Sequence, residues 1–200
     1  MKQFTDLTPS AERIADVAED LIQTLGYNGF SYEDVARIVG IRKPSVHHHF
    51  PTKLELGAVV AQRYTHRFRE ALLRIEGSHG KAPARLKAYA ELFEATYERN
   101  RRLCICGMLG AEADSLPEEI KAPVIRFFRI NLEWLIQVFS EGLVDGSLRS
   151  AHSAAELAET LLCALEGALM VGRGMPQARG PRKAAEVFLT PIVAPPGFAS

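Results

Sequence analysis

The run Gly40 to Phe50, GIRKPSVHHHF, sets an Arg-Lys pair, a serine and three consecutive histidines side by side in a chain with 24 Lys and Arg against 24 Asp and Glu. Guanidinium and ammonium groups neutralise phosphates or read guanine, a serine hydroxyl bonds a phosphate or a base edge, and imidazole N–H groups donate to phosphate oxygens. Metal binding is the rival chemistry, and geometry disfavours it. Consecutive helical residues point about 100° apart, so His47, His48 and His49 cannot converge on one ion. No Cys or acid stands four residues away to complete a face. Arg42, Lys43, Ser45, His47, His48 and His49 therefore read as an anion-facing surface, with Lys53 adding a charge where a following helix starts. A second pattern is Arg101-Arg-Leu-Cys-Ile-Cys106, two thiols beside two guanidiniums that could stabilise a thiolate. Thiol-based sensing of an oxidant or electrophile by Cys104 and Cys106 stays open beside buried structural cysteines, and a Cys-x-Cys without a second pair is weak evidence for zinc.

These residues need elements to hold them, and the chain reads as helical throughout. From Pro9 to Leu25 the apolar residues Ile14, Val17, Ala18, Leu21, Ile22 and Leu25 form one helical stripe, which Gly26 ends. Ser31 with Asp34 has capping-box spacing for a helix over Tyr32 to Val39, and Gly40 stops it. Pro44 suits the first turn of a short third helix, and Thr52 with Glu55 caps a fourth that runs to about Glu76. Further helices are expected over Ala84 to Arg99, Leu103 to Ala113, Glu119 to Leu143, Ala154 to Val171 and Arg182 to Leu189, with no strand pattern. The fold class is thus all-α.

A break of three or four residues between the second and third helices has the layout of a helix-turn-helix, whose last helix enters the major groove. Val35, Ala36, Ile41, Val46 and Phe50 would face the first helix and leave the basic set outside. From Glu12 to Leu56 the chain resembles the DNA-binding domain of the TetR (tetracycline-repressor) family of bacterial regulators. The resemblance rests on Gly26, Ser31-Tyr-Glu-Asp-Val-Ala36, Gly40 to Phe50, Lys53 and Leu56, in both spacing and residue type. Two positions depart from it: His47 stands where the family has a phosphate-contacting tyrosine, and Arg42 where a serine or threonine is usual. Residues 1 to 53 carry six Lys or Arg against seven Asp or Glu, but Asp16, Glu19 and Asp20 belong to the first helix and can point away from the groove. A helix-turn-helix that binds protein is the alternative.

The resemblance implies a DNA-binding domain at 1–53, a helical effector-binding and dimerisation domain at 54–189, and, by composition, a flexible tail at 190–200. It implies a homodimer on a double-stranded DNA operator, released by an unidentified small-molecule effector. Phe93, Tyr97, Cys104, Cys106, Met108, Phe127, Asn131, Trp134 and Glu166 are candidates for an effector chamber, most of them doubling as core. Small residues on the Ala154 to Val171 helix allow close approach, so Leu157, Leu161, Ala164, Leu165, Ala168 and Leu169 are candidates for the dimer interface, against the alternative of an internal core helix. No Gly-rich phosphate loop, nucleophile elbow or metal-ligand spacing occurs, so neither enzyme activity nor a cofactor is expected; a small helical enzyme or binding protein with an incidental helix-turn-helix is the competing class. Three cysteines, no apolar run of about eighteen residues and no apolar core in the N-terminal residues point to the cytoplasm and to no membrane partner.

Overall fold

A computed structural model of the chain describes residues 4–175 and 177–194. It shows α1 (Pro9–Leu25), α2 (Tyr32–Val39), α3 (Lys43–His49), α4 (Lys53–Ser78), α5 (Ala82–Glu98), α6 (Ile105–Ala111), α7 (Glu118–Val144), α8 (Ala154–Gly174) and α9 (Gly180–Leu189). The fold is all-α. Two compact units emerge, one comprising Met1–Phe68 and Ile105–Phe127, the other Arg69–Cys104 and Phe128–Ser200. The first unit therefore extends beyond the expected 1–53 segment, because α6 and the start of α7 pack with it.

Local chemistry sets the helix ends in the first unit. The Thr8 hydroxyl accepts from Ala11 N–H and caps α1. Ser31 and Asp34 form both halves of the capping box, and those hydrogen bonds, with Arg37 beside them, hold the Asp34 carboxyl down to about 2. Gly40 takes the left-handed φ of 78° that closes α2, and both Gly40 and Ile41 N–H return to the Ala36 carbonyl. Helix α3, at seven residues, is far too short to persist alone. It is fixed by Val46 and Phe50, both fully buried with Ile14, Ala15, Ile22 and Val35. The Tyr32 hydroxyl donates to the Phe50 carbonyl at 2.8 Å and so ties the start of α2 to the end of α3.

In the second unit α5, α8 and α9 pack against one another around Leu86, Phe93, Leu161, Leu165 and Leu169. Tyr97 lies against Gly172 and Gly180, whose hydrogens leave the only room for its ring. The expected tail at 190–200 is in part anchored: Val193 forms a bridge with Leu148, Arg149 N–H donates to the Ile192 carbonyl and Ala194 N–H to that of Ser147. Residues 195–200 lie outside the described residues.

Removing the Tyr32 hydroxyl leaves the buried Phe50 carbonyl without that donor, so Tyr32→Phe should lower stability by about 1–2 kcal/mol. Denaturant unfolding of the full chain measures it; a midpoint unchanged from wild type would show that the α2–α3 tie is not made in solution.

Candidate nucleic-acid interface and buried polar cluster

Arg42, Lys43, Ser45, His47, His48 and His49 all sit on or beside α3, and Arg42, Lys43, His47 and His48 are exposed. Arg42 occupies the N-cap position, with Pro44 in the first turn supplying a rigid start without an orphan N–H. Lys43 is partly neutralised by Glu33, 3.9 Å away, so Arg42 carries more of the uncompensated charge. His47 packs its ring edge on Tyr32 and places Nδ1 3.2 Å from the Pro51 carbonyl. A carbonyl only accepts, so the neutral ring keeps its proton on Nδ1 and has none on the outer Nε2; only the imidazolium can donate outward. His48 and His49 meet edge to face at 5.4 Å, with His49 half-buried.

Lys53 differs from its expected role. Its ammonium donates to the Phe30 carbonyl and lies 4.2 Å from the Phe30 ring and 4.8 Å from that of Tyr27. Burial pushes its pKa down, against the pull of Glu112 and Asp34. It clasps the α1–α2 turn instead of reaching outward, a use of the motif lysine that spacing alone could not reveal.

Glu112, just past α6, escaped sequence reading altogether. Its carboxylate accepts from Tyr27 N–H at 2.6 Å, from Asn28 N–H at 3.1 Å and from the Asn28 side-chain amide at 3.1 Å. The partners are about 85 residues distant, and no local signal marks such a contact. Buried Glu19 is likewise bridged from α1 to Arg63 and Arg67 of α4.

The candidate chamber residues divide between the two units. Cys106, Met108 and Phe127 belong to the first unit, where Phe127 meets Phe68 at 5.0 Å and Tyr64 at 5.6 Å. Tyr97 has the packing role just given. Phe93, Cys104, Asn131, Trp134 and Glu166 lie in the second unit, and Tyr89 joins them. Tyr89 stacks on Trp134 at 5.4 Å, meets Phe93 at 5.4 Å and donates its hydroxyl to Asn131 Oδ1 at 2.7 Å. Burial, then the charges of Glu166 and Cys104, raise the Tyr89 pKa. Glu166 is shifted up to about 7 by burial, partly offset by a hydrogen bond from Cys104. Both Cys104 and Cys106 are buried, and the carboxylate beside Cys104 opposes a thiolate, where the sequence had offered guanidiniums to support one.

The candidate interface leucines are also placed differently. Leu157, Leu161, Leu165 and Leu169 are at most 4% exposed and serve the chain's own core, with Ala164 and Ala168 half-buried beside them. The outward stripe of α8 is Thr160, Cys163, Gly167, Met170 and Val171, the last two 57% exposed. Among the described residues no cluster of three or more His, Cys, Asp or Glu could hold a metal, and no helix is long and apolar enough to cross a membrane.

Residues 14–58 match the family described as bacterial regulatory proteins, tetR family, and residues 82–188 match the tetracyclin repressor-like C-terminal domain. The chain belongs to the TetR family. A solved TetR-family regulator from Agrobacterium tumefaciens is 30% identical, with a TM-score of 0.83 over 92% of this chain and 98% of that one. The transcriptional regulator AcuR of Cereibacter sphaeroides is 28% identical over 148 residues, 72% of this chain and 68% of the relative. The transcriptional repressor DhaR of Mycobacterium sp. (strain GP1) is 21% identical over 164 residues, 82% of each. This TetR-family chain is accordingly a DNA-binding transcriptional regulator of the ligand-responsive kind.

Glu166 gives this regulator a pH signature. The folded chain holds its proton up to about pH 7, whereas the unfolded chain releases it near 4.5, so stability falls as pH rises through that window. Glu166→Gln should remove up to about 3 kcal/mol of that loss, making the variant more stable than wild type at pH 8 and near-equal at pH 4. Thermal unfolding across that range reads it; parallel profiles would show an unperturbed Glu166.

Proposed function

We propose that this regulator is a homodimeric repressor that grips a pseudo-palindromic operator through Arg42, Lys43, Ser45 and His47 of two α3 helices and lets go when a small molecule occupies the second unit. The observation that carries the reading is the exposed basic face of α3, with half-buried Ser45 beside it, over a fully buried Val46 and Phe50. A two-fold dimer would set the reading helices about 34–36 Å apart, one DNA turn. Glu112 supports a coupling route: α6 follows Cys104 directly in the chain and holds the α1–α2 turn, so a shift of α6 would be felt by the reading helix. A differential effector affinity of about 1–3 kcal/mol suffices to change operator affinity 5- to 150-fold.

A mobility shift on the DNA upstream of the gene for this chain tests the reading. Arg42→Ala and Lys43→Ala should each weaken binding and flatten its salt dependence by about one ion per contact. His47→Phe, which keeps the ring on Tyr32 and removes its outward nitrogen, should weaken operator binding without unfolding the domain. Salt-insensitive, sequence-blind binding would defeat the assignment.

The dimer face is tested separately. We assign it to the outer stripe of α8 with Val187 of α9, which is 63% exposed. Val171→Asp should give a folded monomer in analytical ultracentrifugation with strongly reduced operator binding, whereas Leu161→Ala should cost about 2–5 kcal/mol of stability without changing assembly in the folded fraction. A dimeric Val171→Asp protein would move the interface elsewhere.

A further inference from the structure

The second unit contains two polar atoms that are shut away from water and have no partner among the described residues: Oε1 of Glu166 and Nε1 of Trp134. Each such atom costs free energy on folding unless something supplies its missing bond. Their chemistry differs. The indole N–H can only donate, while a carboxylate oxygen can only accept. Tyr89 links them: it stacks on Trp134 at 5.4 Å and its hydroxyl feels the charge of Glu166, which stands on α8, a helix that packs on α5. No ion pair engages Glu166 among the described residues; its other interaction is the hydrogen bond from Cys104. Its charge bears on Tyr89, and Tyr89 is in turn packed with the rings of Phe93 and Trp134 and bonded to the neutral amide of Asn131.

A lone buried carboxylate among aromatic faces lacks one thing, a cation, and aromatic faces attract the same species. The orphan indole N–H adds a second demand, for a neutral acceptor on the same molecule. An anionic ligand fits poorly, because it would meet the charge of Glu166, which no ion pair offsets among the described residues. We propose that the effector of this regulator is a small organic ammonium carrying a nearby hydrogen-bond acceptor, its charge held by Glu166 over the Tyr89 and Trp134 rings and its acceptor bound by Trp134 Nε1–H. The proposal rests on the reading of the chain as an effector-responsive repressor and names the chemistry of that effector.

The titratable groups facing Glu166 are the Tyr89 hydroxyl from α5 and the Cys104 thiol from the segment before α6; Asn131 and Trp134 from α7 carry no charge. Since the carboxyl ionises around pH 7, cation binding should tighten as pH rises from about 6 to 8, while an acid held through a protonated Glu166 would do the reverse.

Isothermal calorimetry on the full chain with three probes decides the matter: 3-methoxypropylammonium, pentylammonium and 3-methoxypropionate. The methoxy amine should bind best, and binding should tighten with pH. Glu166→Gln, which keeps shape and removes charge, should weaken it about tenfold or more and abolish the pH dependence. Trp134→Phe should erase the advantage of the methoxy amine over pentylammonium. Preferred binding of the carboxylate, an unchanged affinity in Glu166→Gln, or no heat from either amine would overturn the proposal. The same amines are then added to the mobility shift on upstream DNA. Amine binding by a chain that does not bind the DNA would leave the site standing and defeat the repressor reading; DNA binding without amine binding would do the opposite.

Discussion

The reading head of this regulator depends on the carboxylate of Glu112. Three N–H groups of Tyr27 and Asn28 converge on it, and Gly26 beside them has a φ of 80° with its missing Cβ only 2.9 Å from a Glu112 oxygen. Any side chain at Gly26 would be strained by the backbone and would displace the acid. On the same turn Lys53 bonds the Phe30 carbonyl, and its charge is favoured by that of Glu112. The α1–α2 turn is thereby held by an acid just past α6 and a base from α4. The cap at Ser31, which opens α2, follows directly from that turn.

Because α3 is so short, its orientation is inherited from its anchors. Val46 and Phe50 supply the apolar contact, and Tyr32 fixes the end of the helix by its hydrogen bond to Phe50. The outward face, with Arg42, Lys43, His47 and His48, is then left exposed. That separation explains how His47 can replace the family's tyrosine: its ring keeps an aromatic contact on Tyr32 while its outer nitrogen faces solvent.

Much of this was legible in the sequence because caps and apolar periodicity are local. Ser31, Asp34, Gly40 and Pro44 marked α2 and α3 to within a residue, and the buried set Val35, Ala36, Val46 and Phe50 followed from the spacing. What was not legible was the identity of each neighbour. Helix α8 carries two apolar stripes, and periodicity alone cannot say which meets its own chain; the larger leucines went inward and the thinner stripe through Cys163, Gly167 and Val171 was left outside. Lys53 matched a motif by position while its ammonium turned to a carbonyl, and Glu112 gave no sign because its partners lie so far away in sequence. The aromatic and sulfur residues of the middle of the chain read as one chamber, yet they divide between two packed units.

The charge balance constrains how such a repressor can work. With no net charge the chain as a whole is not drawn to DNA, so under the proposed reading affinity has to come from local contacts such as those of α3. Those contacts are already depleted, since Lys43 is shared with Glu33 and Lys53 is committed to the fold. In the proposed dimer one head alone would bind weakly, and firm binding would need two heads at the spacing of one DNA turn. Weak heads make the regulator sensitive: once the spacing is lost, the second head's contribution goes with it. An effector then needs to supply only a small preference between two arrangements of the dimer, which a single charge-assisted contact in an otherwise apolar interior is large enough to provide.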